Sequence, residues 1–419
     1  MIKRRIKPLA ILDGEISIPG SKSYTARALV IGALASGETL LRNPLRSEDT
    51  DYMIEGLKSL GVTIEEGVET ISIMGTRGNL NPSSEKLFLG GAGTAVRFLT
   101  TVAGLARKPL VIDGNERMRE RPIQDLLEGL EPLGIRARSI NGDGYPPIAV
   151  ADGQLEGGRT VLQGGKSSQF LSSILLCAPY AKRAVVIEIT NDLVSRSYVD
   201  LTLEIMRDFG ARVTHQGYRI FRVTPAPYVG REYVIEGDLS SASYFFATAA
   251  ITGGQVRVKG VNPRSKQGDG GFLDVLESMG CRVYRGDNHV EVTGESLKGI
   301  DIDMRSMPDT VQTLAVVAAF ARGTTQIFGV EHLQYKETDR ITALKRELAK
   351  MGIKTAREKE TLIIEGGEPR GAEVDTYGDH RMAMAFAIAG LRTDGMVIRN
   401  PNCVNKSLPT FWNLLEGLR

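Results

Sequence analysis

One frame recurs along this chain and limits what it can fold into. A short extended run leads to a polar or glycine-containing turn, and the turn opens an apolar helix closed by a glycine. At 17–37 it reads S-I-P-G-S-K-S-Y-T-A-R-A-L-V-I-G-A-L-A-S-G. Ser21 or Ser23 suits the helix N-cap there, and Gly37 suits its end. Ser23 and Arg27 stand four apart and share one helix face, beside free backbone N–H groups and the positive end of the helix dipole. The frame returns at 86–105, 160–180, 233–253, 301–323 and 373–390. A second helix recurs between these, ending at Gly61, Gly134, Gly210, Gly280 and Gly352, each time before a β-like run. The repeat length is roughly 70 residues, and six β-α-β-α-β-β units fill the chain. Helices packed on sheets follow, an α/β (α+β) class.

The last unit stops at its second helix, 411–418, with no trailing strand pair. The extended N-terminal stretch 2–18 is available to complete it. That predicts a discontinuous domain of residues 1–20 with 237–419, three repeats, and a second domain of 21–236, also three repeats. Within the first unit, 50–60 reads as an amphipathic helix, and 62–66 with 70–74 as a hairpin.

The 419 residues are 42% hydrophobic with a net charge of +2, so no basic tail or cationic run points to nucleic acid or a membrane surface. The basic start M-I-K-R-R-I-K is interrupted by Pro8 and Asp13 and is not a secretory signal. Three scattered cysteines and four scattered histidines have neither disulfide nor metal-site spacing, which suits a reducing cytoplasm.

The polar turns differ in residue type while their frame persists, as expected of one scaffold bringing different groups to a common focus. Lys22, Arg27, Arg97, Arg121, Lys336, Arg340, Arg381 and Lys406 lie in or just beyond such turns. Each alone has a solvated surface position as its plain alternative. Together they oppose the helix dipoles, and phosphate or carboxylate ligands would justify them. G-G-A-G-T at 90–94 allows close backbone approach to an anion, but lacks both the P-loop ending and dinucleotide spacing. Ser167, Ser168 and Gln169 offer two hydroxyls and an amide at a helix start, or a plain N-cap. The charged run E-R-M-R-E-R-P at 116–122 ends in a proline suited to the first helical position, or is a solvated loop. Asp309 at one helix entrance and Glu337 in K-E-T-D-R at another are candidates for a general acid/base pair, with N-capping the alternative for Asp309. Asp379-His380-Arg381 is either a polar helix start or part of the same site.

The motifs P-G-S-K-S-x-T-x-R, L-G-x-A-G-T-A-x-R, E-R-M-R-E-R-P-I, Y-P-P-I, S-S-Q-F-L-S-S, S-S-A-S-Y-F, M-P-D, K-E-T-D-R-I, D-H-R-M-A-M and C-V-x-K follow one another over nearly the whole chain. In that order they resemble the 5-enolpyruvylshikimate-3-phosphate (EPSP) synthase family. The resemblance implies a two-domain inside-out α/β barrel, three repeats per domain about a pseudo-threefold axis, with the active site in the cleft between domains that close on substrate. It implies transfer of the enolpyruvyl group of phosphoenolpyruvate to the 5-hydroxyl of shikimate 3-phosphate, releasing phosphate, without metal or organic cofactor, by a cytoplasmic monomer. By motif, Glu337 handles the proton at the methylene, Asp309 orients and deprotonates the hydroxyl, and Lys22 assists at the reacting centre. The phosphoenolpyruvate site would be Lys22, Gly93, Arg121, Gln169, Arg340, Arg381 and Lys406. Shikimate 3-phosphate would take Ser23, Arg27, Ser167, Ser168, Gln169, Ser195, Tyr198, Asp309 and Lys336.

Ala26, Gly91, Phe98, His332 and Gln334 stand where the family more often shows Asn, Asn, Pro or Leu, Asn and Arg. Gly91 and Phe98 flank the turn that shapes the response to glyphosate, the family's inhibitor, and Gly93 is retained. Three rivals differ in testable ways. UDP-N-acetylglucosamine enolpyruvyl transferases typically carry Lys-Asn at the first turn and a reactive Cys in a mobile loop; here stand Lys22-Ser23 and no Cys at 110–121. A paralogue with another acceptor, and a non-catalytic anion-binding protein on the same scaffold, are the others.

Overall fold

Three of the apolar helices have no face suited to water, and this decides the architecture. In Lys22–Leu34 every residue from Tyr24 onward is buried, and the helices Gly93–Ala103 and Ser168–Cys177 are nearly as enclosed. A helix apolar all round must sit at a centre, so these three pack on one another and the sheets lie outside them. The computed structural model describes residues 2–9, 12–151 and 153–418. It divides into two compact units, Gly20–Ile235 and Met1–Pro19 with Glu236–Arg419. Both crossings fall one residue before those expected from the sequence. The discontinuous unit repeats the plan with the buried helices Leu239–Thr252, Val311–Ala319 and His380–Ala389 in mutual contact. Small residues such as Ala383, Ala385, Ala387 and Ala389 are fully buried there, and their short side chains let helix axes approach. Each fully buried Leu, Ile or Phe in these cores contributes about 1.5–3 kcal/mol.

The second helix of a repeat is amphipathic. Glu48–Ser59, Arg196–Asp208 and Arg340–Lys350 each bury one stripe and leave charged residues outside. The glycines expected behind such helices, Gly61, Gly134, Gly210, Gly280 and Gly352, all have φ between +81° and +115°, a conformation that needs no Cβ. Gly37 does not close its helix. That helix stops at Leu34, and Gly37, at φ +83°, turns the chain into the strand Glu38–Arg42. Nor does Pro122 open a helix: Met118–Glu120 forms a 3-10 turn and the α-helix begins at Gln124.

Among the described residues there are six sheets, five of four strands and one of three. In the third repeat Val185–Ile189 pairs parallel with Gly158–Leu162 and antiparallel with Ile220–Thr224, which pairs with Arg212–Gln216. Val185, Ile187 and Ile189 point to the core while Val186 and Glu188 are part-exposed, the period-two signature of a sheet with one wet face.

Two opening strands join other sheets than the linear reading assigns. Asp13–Ser17, which precedes the first polar turn, pairs parallel with Gln255–Lys259 in the fourth repeat. Glu232–Val234, read as the opening strand of that fourth repeat, pairs parallel with Glu38–Arg42 in the first. The N-terminal stretch thus serves two sheets, because Lys3–Arg5 also pairs antiparallel with Val397–Arg399 in the three-stranded one. At the first crossing, a Cβ on Gly20 would lie 1.9 Å from the Asn43 carbonyl oxygen, so only glycine fits that contact. Among the described residues no helix is long and apolar enough to cross a membrane.

Candidate active site

The polar turns sit at the N-termini of the central helices, and packing those helices together brings their turns into hydrogen-bonding reach. The cations there are largely buried: Arg27, Arg97, Arg121, Arg340, Arg381 and Lys406 are each 7% exposed or less. A solvated surface role is therefore excluded for these six, and burial of charge demands compensation.

In the unit Gly20–Ile235, Arg27 donates to neutral oxygens, the carbonyls of Ser23 (3.0 Å) and Tyr198 (3.0 Å) and the Thr202 hydroxyl (2.7 Å), which itself bonds Ser172 (2.9 Å). Burial lowers its pKa to about 10. Its guanidinium carbon stands 5.4 Å from the Phe98 ring centroid, so Phe98 supports this cation. A buried guanidinium resting on neutral oxygens is prepared for an anion. Ser195, 4% exposed and at φ +54°, starts the helix that carries Tyr198 and Thr202.

Ser167 caps its helix, accepting from the Gln169 N–H (3.2 Å), so the capping alternative is realised for it. Ser168, 5% exposed, is the first helical residue. The Gln169 amide donates to Thr94 Oγ1 (3.1 Å), joining the second and third polar turns. Arg121 lies over Gly93: a Cβ there would be 2.6 Å from Nη1, so a methyl would push the guanidinium aside. Arg97 ties the charged loop down, donating to the Pro122 carbonyl (3.0 Å). Lys22 pairs with Asp49 at 3.2 Å.

The discontinuous unit holds the acidic candidates. Arg340, 1% exposed, bonds three carboxylates through its fork: Nε to Asp379 (2.8 Å), Nη1 to Asp309 (3.2 Å) and Nη2 to Glu337 (2.9 Å). Burial opposes its charge, but Asp379, Glu337 and Asp309 outweigh it and its pKa is raised. Arg381 Nη2 meets the other oxygen of Asp309 at 2.6 Å, and Nη1 donates to the Tyr244 hydroxyl at 3.3 Å. Asp309 is thus no N-cap; its carboxylate bridges two arginines. Asp379 caps its helix through the Arg381 N–H (2.9 Å) and anchors Arg340 as well. The structure brings Glu337, Asp309, Arg340 and Arg381 into one network. Lys336 is half-buried beside Glu337, and Lys406 is buried at the end of the 3-10 turn Pro401–Lys406. Asp49, Tyr244 and the anchoring role of Asp379 escape a sequence reading. Asp49 is hidden in an ordinary helix opening, and only the S-S-A-S-Y-F motif marks Tyr244.

His332, where the family more often has Asn, is 1% exposed and neither ring nitrogen has a hydrogen-bond partner. Burial, then Lys336, lowers its pKa to about 3. The unfolded chain binds this proton near pH 6.5, so between about 3 and 6.5 it holds more protons than the folded chain and stability rises with pH. His332→Asn should therefore gain on wild type by about 2 kcal/mol more at pH 5 than at pH 8. Denaturant curves at both pH values check this, and a pH-independent difference contradicts it.

A family model described as EPSP synthase (3-phosphoshikimate 1-carboxyvinyltransferase) matches residues 6–415. The chain belongs to the EPSP synthase family. It is 47% identical to the 3-phosphoshikimate 1-carboxyvinyltransferase of Methanoculleus marisnigri over 99% of this chain and 98% of that one. To the enzyme of the same name in Trichormus variabilis it is 43% identical, over 96% and 95% of the two chains. A solved structure of EPSP synthase from Acinetobacter baumannii superposes with a TM-score of 0.83 at 28% identity, covering 99% of this chain and 97% of the other.

Proposed function

We propose that this chain transfers the enolpyruvyl group of phosphoenolpyruvate to the 5-hydroxyl of shikimate 3-phosphate, with Asp309 and Glu337 as its acid/base groups. The observation that carries this reading is the Arg340 fork, which holds both carboxylates through separate nitrogens, at 3.2 and 2.9 Å. Neither is consumed in capping a helix, and the two carboxylates are held side by side on one guanidinium.

The reaction asks for three proton movements. The methylene carbon of phosphoenolpyruvate gains a proton, which leaves the adjacent carbon electron-poor. The acceptor hydroxyl loses its proton and attacks that carbon, giving a tetrahedral adduct. Phosphate then leaves and the methyl group gives back a proton, restoring the double bond. Glu337 gives and later retrieves the methyl proton; Asp309 takes the hydroxyl proton; Lys22, held by Asp49, assists at the reacting centre by offsetting the negative charge of the departing phosphate. Arg121, Arg340 and Arg381, with Lys406, Gln169 and Gly93, take the carboxylate and phosphate of phosphoenolpyruvate, for which guanidinium forks are suited. Arg27, Lys336, Ser23, Ser167, Ser168, Gln169, Ser195, Tyr198 and Asp309 take shikimate 3-phosphate. The buried Arg27, which bonds neutral oxygens, supports that side of the reading. The working form is taken as a cytoplasmic monomer.

The test is phosphate release from purified protein with phosphoenolpyruvate and either shikimate 3-phosphate or UDP-N-acetylglucosamine. Release with shikimate 3-phosphate alone, with the enolpyruvyl ether seen by mass, is the expected result. Release with the nucleotide sugar, or none from folded protein, overturns the reading.

A further inference from the structure

The helix Arg340–Lys350 grips the segment leading into Arg381 at two places, and only one of them belongs to the site above. Arg340 and Glu347 stand seven residues apart, two helical turns, so they share one face of that helix. Arg340 holds Asp379 at 2.8 Å. Glu347 holds the residues just before it: Oε2 accepts the Asp375 N–H (3.0 Å) and Oε1 the Tyr377 hydroxyl (2.6 Å). The Glu347 side chain is fully buried, so its charge needs compensation. Lys350 meets it at 2.7 Å and Asp375 at 3.0 Å, and Arg399 takes the other Asp375 oxygen at 2.9 Å.

These bonds fix a turn that strains its own backbone. Between the strand Glu373–Val374 and the helix His380–Ala389, Tyr377 and Gly378 are both left-handed, at φ +53° and +69°. Glycine adopts that conformation freely, whereas a tyrosine does not. Tyr377 is 38% exposed, so packing of its ring does not by itself hold it there. The bond from its hydroxyl to Glu347 adds the missing restraint. The turn passes this restraint on. The Thr376 carbonyl accepts from the Asp379 N–H (2.8 Å), and Asp379 caps the helix through the Arg381 N–H (2.9 Å). From Glu347 to the Arg381 backbone every step is therefore a hydrogen bond or a residue or two of main chain.

We propose that Glu347, acting through Tyr377, is a positioning residue for Arg381: it sets the turn ahead of Asp379-His380-Arg381 and so aims the Arg381 guanidinium at phosphoenolpyruvate. The proposal rests on the reading of Arg381 as a phosphoenolpyruvate ligand. Arg340 belongs to the gripping helix itself, whereas Arg381 reaches it only through the turn. Cutting the Glu347 bonds frees Tyr377 to leave its left-handed conformation and shifts Arg381 relative to Arg340. A displaced guanidinium loses its fit to an anion, so the cost falls on one substrate rather than on both.

The experiment measures kcat and the KM of each substrate for the full chain, comparing wild type with Glu347→Leu, Glu347→Gln, Tyr377→Phe and Arg381→Lys. Glu347→Leu removes both bonds and should raise the KM for phosphoenolpyruvate by about tenfold or more. Tyr377→Phe removes one and should raise it by about threefold or more. The KM for shikimate 3-phosphate should stay within about twofold in both. In Glu347→Gln the amide oxygen can accept from the Asp375 N–H while the amide nitrogen donates to the Tyr377 oxygen. That variant should therefore stay within about twofold of wild type for phosphoenolpyruvate. A merely structural role would act differently: fewer folded molecules lower kcat and leave both KM values alone. Tyr377→Phe keeps ring, backbone and volume, so it carries the test if Glu347→Leu fails to fold. An unchanged phosphoenolpyruvate KM in Tyr377→Phe, or an equal rise in both KM values, overturns the role of Glu347. A wild-type phosphoenolpyruvate KM in Arg381→Lys overturns the reading of Arg381, a separate failure.

Discussion

Replacing Arg340 by alanine should abolish turnover and destabilise the protein by about 3–5 kcal/mol. The side chain is 1% exposed and bonds Asp379, Asp309 and Glu337, of which Asp379 is itself fully buried. Alanine leaves these carboxylates around an empty space with their mutual repulsion exposed. Asp309 keeps Arg381 at 2.6 Å, so Asp379 and Glu337 suffer most. Their carboxyl pKa values in the variant should lie above those of the unfolded chain. The folded variant then binds more protons than the unfolded one in that interval, so its stability falls as pH rises and recovers as pH falls. Urea denaturation of wild type and variant at pH 5 and 8 reads this directly: the deficit should be clearly larger at pH 8. An equal deficit at both would mean that lost packing, and not stranded charge, dominates. Arg340→Lys supplies one point charge without the fork and should fall between the two.

Glu337→Gln should cut turnover by about 100-fold or more while leaving the fold intact. Glutamine matches glutamate in shape, and its carbonyl can still accept the Arg340 Nη2–H bond now made at 2.9 Å. What it cannot do is give and retrieve a proton at the substrate methylene. The loss should therefore appear in kcat, with the KM for phosphoenolpyruvate changed much less, because an interaction used only in the transition state is removed. Solvent deuterium exchange into the methylene of phosphoenolpyruvate should slow in step. An unchanged rate in folded protein would falsify the assignment of Glu337 to the proton transfer.

Both predictions fall on residues visible in the sequence, yet the reason for their size is not. K-E-T-D-R and M-P-D mark Glu337 and Asp309, but nothing in either motif says that one arginine holds both. That link joins residues 309, 337 and 379 across two repeats, and it exists because the central helices pack side by side. The same holds for Phe98, legible as a departure beside the glycine turn but found beneath Arg27. His332, likewise legible only as a departure, is found 1% exposed, where packing removes its solvent.

By itself the sequence determined the local frame. Apolar runs of helical length, turn glycines and alternating strands act over neighbouring residues, so six repeats, their helices and the cations at their polar turns could be read directly. Partner choice between sheets was decided only in three dimensions. Asp13–Ser17 and Glu232–Val234 are both short opening strands, each able to pair parallel with the strand behind a central helix. Local pattern is the same for either pairing. The two places where the chain passes between units, at Pro19 and Ile235, select which sheet each strand joins. Charge followed the same rule: sequence marked the cations, while burial and hydrogen-bond partners, properties of the packed core, turned them into a site.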